Sequence, residues 1–197
     1  MGNDFVIIDG RSLNFQQLNQ NQIKKICNRN FGVGADGLIL IKDHLKLDFE
    51  MIYYNSDGLL SSMCGNGARC SVAFAYEKNI CSEKMVFMAY DGPHKGFILA
   101  DSNIKLSFND ISNIKENEYG IYIDSGSPHL LIFDKNIEEL NVKELGSSIR
   151  HSKKFLKEGI NVNFIEHINK KISILKTFEA CVKPANSRQD LIRHADK

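Results

Sequence analysis

The apolar residues of this chain fall into many short runs, and few of those runs have helical spacing. DFVIID (4–9), GLILI (37–41), DFEMIYYN (48–55), then KMVFMAY, GFILA and NIKLSF within 84–108, all read as strands closed by Gly, Asp, Asn or Pro. IYIDSG and HLLIF within 121–133, and INVNFIEHI and KISILKTF within 160–178, continue the pattern. Helical spacing is confined to NFQQLNQNQIKKICNRN (14–30), stopped at Gly32, to GARCSVAFAYEKN (67–79), and to much of NIEELNVKELGSSIRH (136–151). Strands and helices do not alternate regularly, which argues against a doubly wound parallel sheet and for an α+β chain.

With 197 residues the chain can form one large domain or two lobes of about 100 residues each. The polar stretch NDISNIKENEYG (109–120) is poor in large apolar side chains, and the strand pattern partly restarts beyond it. The expected division is a first lobe over 1–111 and a second over 112–197, with a divergent tail from about 180. That tail, within EACVKPANSRQDLIRHADK (179–197), is polar, contains a proline and lacks periodicity, so it is expected to fray.

Charge narrows the partners. The 25 basic and 24 acidic residues leave a formal net charge of +1, so no field is evident that would recruit nucleic acid or an acidic membrane. There is no apolar run of membrane-spanning length, and MGNDFVIIDG has no basic leader. The expectation is a cytoplasmic protein with a small-molecule partner. The five cysteines are odd in number and lack C-x-x-C spacing, which speaks against a disulfide framework and a structural metal. Cys27, Cys70 and Cys81 read as small buried hydrophobes.

NSDGLLSSMCGNGARC (55–70) is the chemically distinctive stretch. CGNG immediately precedes a helix, which places Cys64 beside unpaired N–H groups and the positive end of the helix dipole. Such a thiol is either a base or nucleophile held as thiolate, with the same N–H groups able to receive a carboxylate, or a buried cysteine beside a glycine turn. Three short polar side chains nearby, Asn55, Asp57 and Asn66, favour the first reading, although Asp57-Gly58 also fits a turn. GVGADG (32–37) matches G-x-G-x-x-G, but a helix precedes it and a strand follows, so its glycines serve a tight turn rather than a dinucleotide. His129 is either a satisfied histidine at a strand end or a site group, and Asn3 and Asp4 are equally open. Ser125 and Ser127 sit in no nucleophile elbow.

Six separated segments, in order, resemble the diaminopimelate epimerase family: GNDFVIID (2–9), RNFGVGADGLILI (29–41), YNSDGLLSSMCGNGARC (54–70), SGSPHLLIF (125–133), INVNFIE (160–166) and KTFE (176–179). The resemblance implies two pseudo-symmetric lobes of the diaminopimelate epimerase-like fold. It also implies cofactor-independent inversion of LL-diaminopimelate to the meso form, a step toward lysine and peptidoglycan. In that family two cysteines act on opposite faces of one α-carbon, one removing the proton and the other supplying one. By resemblance Cys64 is the first of them, and Gly65 and Asn66 supply N–H groups for the developing charge. Asn3, Asn55 and Asn161 match residues that hold substrate, His129 matches a residue lining the cleft, and Glu179 matches a glutamate that binds the α-amino group. No cofactor or metal is implied. Family members often form homodimers, so a homodimer is an expectation too.

The departures cluster at the two ends. Met1 directly precedes Gly2 where the family has a short strand. After Glu179 the family continues E-R-G and then C-G-T-G or C-G-S-G, whereas this chain reads ACVKPANSRQDLIRHADK, with Arg188 in the place of the second cysteine. Cys181 stands too close to Glu179 to replace it. Ser127 stands where many members have asparagine, and Gly37 where some have glutamine. The expectation is therefore an incomplete second lobe and one half of a two-base device, with inversion lost or slow. The alternative is a non-catalytic remnant that binds an amino acid or another protein. Proline racemases and phenazine-pathway isomerases share the two-lobed architecture but not GNDF and CGNGARC.

Overall fold

The structure, a computed structural model, describes residues 2–12, 17–111, 114–156, 159–169, 172–178 and 188–193. Its contacts divide the chain into two compact units, Met1–Asn109 and Asp110–Lys197.

The first unit is one six-stranded mixed sheet in chain order: β1 (Phe5–Asp9), β2 (Gly37–Lys42), β3 (Phe49–Asn55), β4 (Lys84–Ala89), β5 (Gly92–Ile98) and β6 (Ile104–Leu106). Two neighbouring pairs, β1 with β2 and β3 with β4, are parallel, and the rest are antiparallel. Parallel neighbours need a crossover, here α1 (Gln20–Cys27) and α2 (Gly65–Glu77). The two helices pack with opposite faces of β2. Leu38 and Leu40 join Ile23 and Cys27 of α1, while Ile39 and Ile41 join Ala68, Val72 and Ala75 of α2. Burial on both faces is why GLILI is continuously apolar, whereas β3 alternates, with Phe49, Met51 and Tyr53 inward.

The second unit is a six-stranded sheet of β7 (Lys115–Asn117), β8 (Gly120–Asp124), β9 (Pro128–Phe133), β10 (Asn161–Asn169), β11 (Ile172–Phe178) and β12 (Arg188–Arg193), again in chain order. Only β9 and β10 are parallel, and α3 (Val142–Arg150) crosses between them. Its core is Leu130, Ile137, Val142, Phe155, Ile160, Val162 and Phe164. Both units are thus mixed sheets with few helices, an α+β architecture.

Several expected boundaries move, each for a local reason. The helix expected over 14–30 is only Gln20–Cys27: Asn19 accepts from the Gln22 N–H, and the Gln22 side chain returns a bond to Asn19, a capping box. It ends before Gly32, because Asn28 turns extended and its side chain accepts from the N–H groups of Asn30 and Phe31. The expected helix over 136–151 shrinks to Val142–Arg150, since Asn141 caps it. β5 begins at Gly92, ahead of the expected GFILA run, because the two-residue turn Tyr90-Asp91 returns the chain directly beside β4. The polar boundary segment contributes β7. The tail expected to fray contributes β12, which pairs antiparallel with β11 and so bonds to strand-edge groups that would otherwise need water.

A constant offset relates parts of the two units. In the first, Phe5 faces Gly37 and Gly37 faces Asn55. In the second, His129 faces Asn161. The offset is 124 residues in both (129 − 5 and 161 − 37). β1-α1-β2-β3 therefore corresponds to β9-α3-β10-β11.

Candidate active site

The sulfur of Cys64 caps α2. Its backbone is extended (φ −121°, ψ 111°), and Sγ accepts from the Gly67 N–H at 3.4 Å. Gly65 and Asn66 form the first turn beside it, where backbone N–H groups have no partner within the helix. Asparagine is the cap of α1 and α3, so the sulfur, a weak acceptor, is the poorest cap of the three.

A chain of side-chain bonds leads from this turn to the surface. Asn66 Nδ2 donates to Asn3 Oδ1 (2.7 Å), and Asn3 Nδ2 donates to Asp36 Oδ2 (2.9 Å). Arg29 binds Asp4 through both terminal nitrogens (2.9 and 2.7 Å) and reaches Asp36 at 2.7 Å. The guanidinium holds the Asp4 carboxyl below its ordinary pKa. It also offsets the repulsion between two neighbouring carboxylates. Asp36 and Arg29 were not among the expected site residues. Both lie in RNFGVGAD, and the signal available was that a loop of glycines also carried two opposite charges. In the same loop Gly34 has φ +80°, consistent with a tight turn.

Asn55 ends β3 opposite Gly37, and its carbonyl accepts from Gly58 N–H, closing a turn. Asp57 takes the second of the two readings its sequence allowed, that of a turn residue. Its Oδ1 accepts from the Leu59 N–H at 2.9 Å, and Gly58 has φ +80°, so the pair builds this turn.

None of the four described cysteines is disulfide-bonded. Burial raises the thiol pKa of Cys27 and Cys70, and burial with the Asp48 charge carries Cys81 to about 11. These three are held as thiols; Cys27 is buried as a small hydrophobe would be, whereas Cys70 and Cys81 are only half-buried.

The second unit holds a separate cluster. His129 and Asn161 are direct partners across β9 and β10. Asn163 lies two residues on and on the same strand face as Asn161; its Nδ2 faces His129 Nδ1 (3.1 Å) and the carbonyl oxygens of Leu130 and Asn161 (3.2 Å each), three acceptors that share its two hydrogens. Thr177 Oγ1 donates to Asn163 Oδ1 at 2.9 Å, and Ser127 Oγ lies 3.0 Å from His129 Nε2. Burial lowers the His129 pKa, outweighing the upward pulls of the Asn163 contact and of the Asp124 charge. Asn163 and Thr177 were not singled out from the sequence, although the period of two in NVN places Asn161 and Asn163 on one face. Glu179 and Cys181 lie outside the described residues. Among the described residues no group of three or more His, Cys, Asp and Glu side chains is arranged to hold a metal, and no helix is long and apolar enough to cross a membrane.

Residues 1–95 match the family model described as Diaminopimelate epimerase. The diaminopimelate epimerase of Flavobacterium psychrophilum is 40% identical over 182 residues, covering 92% of this chain and 71% of that protein. Those of Aquifex aeolicus and Chlorobaculum tepidum are 34% and 35% identical, covering 92% of this chain and 72% and 73% of theirs. Among solved structures, the Bacillus anthracis phenazine biosynthesis protein of the PhzF family aligns with a TM-score of 0.57 at 13% identity, over 83% of this chain and 63% of that one. A hydroxyproline epimerase from Agrobacterium vitis, with bound trans-4-hydroxy-L-proline, gives 0.53 at 12%, over 85% and 59%. At those identities the likeness concerns the fold, and it agrees with the mixed sheets described above. With two-fifths identity along nearly all of its length, and with Cys64 opening α2 inside the matched region, this chain belongs to the diaminopimelate epimerase family.

Proposed function

We propose that this chain binds diaminopimelate and that Cys64 removes the hydrogen from one α-carbon, the first half of the inversion that interconverts the LL and meso forms. The observation that carries the reading is the Cys64 cap on α2. It sets a potential base beside the N–H groups of the helix start. An α-hydrogen next to a carboxylate is weakly acidic, because its removal leaves charge on the carboxylate oxygens. Gly65 and Asn66 are suited to receive that charge, with no reorganisation needed at the moment of transfer. The proton passes from the α-carbon to the sulfur, and the electron pair delocalises into the carboxylate.

Asn3 and Asn66, tied to each other and to Asp36, give this end of the site fixed amides for a polar ligand. Asn55, His129, Asn161 and Glu179 are assigned to substrate binding by the family pattern, and no cofactor is needed for the step. Completion of the inversion needs an acid on the opposite face. The residue 124 positions after Cys64 is Arg188, at the start of β12. This chain by itself therefore supplies one base, and we assign it exchange of the α-hydrogen with slow or absent inversion. A free amino acid as substrate fits the cytoplasm. A homodimer belongs to the same reading and is checked by sedimentation.

The test is proton NMR of LL-diaminopimelate in D2O with the purified chain and with Cys64→Ala. The expected result is loss of the α-hydrogen signal without meso product, absent in the variant. Rapid appearance of the meso form would show that a second acid acts. Binding with no exchange would favour an amino-acid-binding remnant, and absence of both would reject the reading.

A further inference from the structure

Asn163 is a polar side chain in the middle of a sheet, 5% exposed, between His129 on one neighbouring strand and Thr177 on the other. Buried amides are retained where every polar atom has a partner, and the partners here also fix which way round the amide lies. Two backbone carbonyls, of Leu130 and Asn161, surround one end at 3.2 Å. A carbonyl accepts only, so that end is the NH2 group. The other end accepts from Thr177 Oγ1 at 2.9 Å and is the oxygen. Reversing the amide would set its oxygen against two carbonyl oxygens.

That orientation decides the protonation of the imidazole. The atom 3.1 Å from His129 Nδ1 is the NH2 nitrogen, a donor, so Nδ1 presents its lone pair. A neutral ring then carries its hydrogen on Nε2. The imidazolium, with hydrogen on both nitrogens, would oppose two donors at Nδ1, and burial disfavours it as well; an upward pull from the Asn163 contact needs the amide oxygen to face the ring, which the two carbonyls exclude. Nε2–H in turn donates to Ser127 Oγ at 3.0 Å. A hydroxyl can accept and donate at once, so Ser127 keeps its own hydrogen for another acceptor. Serine and histidine at this distance also suggest the opposite arrangement, with the ring as base toward the hydroxyl. Asn163 removes that option, because the lone pair is on the wrong nitrogen.

We propose that Asn163, anchored by Thr177, is a positioning residue that holds His129 as the Nε2–H tautomer, so that the Ser127 hydroxyl acts as a hydrogen-bond donor toward an acceptor oxygen of the substrate, such as a carboxylate. The role of Ser127 rests on the function proposed above; that of Asn163 does not.

The experiment is a long-range proton–nitrogen NMR correlation of the imidazole rings in the full chain at neutral pH, with His129 assigned by its loss in His129→Gln. The expected spectrum has a bare Nδ1 and a protonated Nε2. Asn163→Asp replaces the donor by an acceptor and is expected to move a proton onto Nδ1, with circular dichroism confirming the fold. Should that variant not fold, the wild-type spectrum decides on its own: hydrogen on Nδ1 overturns the proposal, as does an unchanged ring in folded Asn163→Asp. Calorimetric titration with diaminopimelate then reads Ser127. Loss of one hydrogen bond to a charged oxygen in Ser127→Ala is expected to weaken binding roughly tenfold or more, with the ring tautomer unchanged. Equal affinity overturns the role of Ser127 while the proposed function stands. No binding by the wild type overturns both, and the ring spectrum still decides Asn163.

Discussion

β1-α1-β2-β3 and β9-α3-β10-β11 are built alike, but the chain leaves them in different ways. After β3 it turns at Asn55–Gly58 and opens α2, whose Ala68, Val72 and Ala75 pack on the sheet with Ile39 and Phe87. After β11 it returns as β12, extending the sheet by one edge strand. The sequence supplies a reason. GARCSVAFAYE has small and apolar residues at helical spacing and no proline, whereas ACVKPANSRQDLIR carries Pro184 and no such period. Two units can therefore share strands, crossover and register and still differ in chemistry, because the helix start that could hold a substrate carboxylate belongs to the part that does not repeat.

The strongest way to break the comparison is to empty each core in turn. Phe87, fully buried against Phe49 at 5.1 Å, and Phe164, 2% exposed, serve the two units. Replacement of either by Ala is expected to cost about 3–5 kcal/mol. Hydrogen exchange should show lost protection confined to the mutated unit. Loss spread evenly over both would mean that the two unfold together.

Helix caps sharpen it next. Asn141→Ala removes the acceptor for the Glu144 N–H and is expected to cost about 1 kcal/mol by denaturant melt. Cys64→Ser should do the reverse, leaving stability unchanged or raising it by up to ~1 kcal/mol, since a hydroxyl is the better cap, while α-hydrogen exchange disappears. Exchange that survives in Cys64→Ser would separate the sulfur from the chemistry.

Smaller still is a pH effect restricted to the second unit. Folding lowers the His129 pKa, so the unfolded chain takes up that proton first as the pH falls. The ring's contribution to stability should be full above about pH 6.5 and be lost as the pH drops through the folded-state value. Melting temperatures from pH 7.5 to 5 should therefore fall less in His129→Gln than in the wild type, and a steeper fall in the variant would refute the assignment. The smallest expected effect is none. Arg188→Cys puts a thiol at the position offset from Cys64, but on a strand, and it should yield no meso product. Inversion by that variant would mean that a thiol suffices without a helix start.

Much of this was legible in the order of residues. Strand segments such as GLILI and INVNFIE, and the glycine turn that opens α2 at Cys64, come from side-chain period and local capping, both of which act within a few residues. The helix ends depart from the spacing where Asn19, Asn28 and Asn141, polar residues inside runs of helical period, act as caps. The tertiary structure alone decided which amide meets which. Asn66 bonds to Asn3, 63 residues away, and Asn163 reaches His129 across 34. Neither pairing leaves a periodic trace in the chain, because each depends on strand register and on where separate elements end, and it was the pairing that set the orientation of Asn163 and hence the hydrogen on the His129 ring.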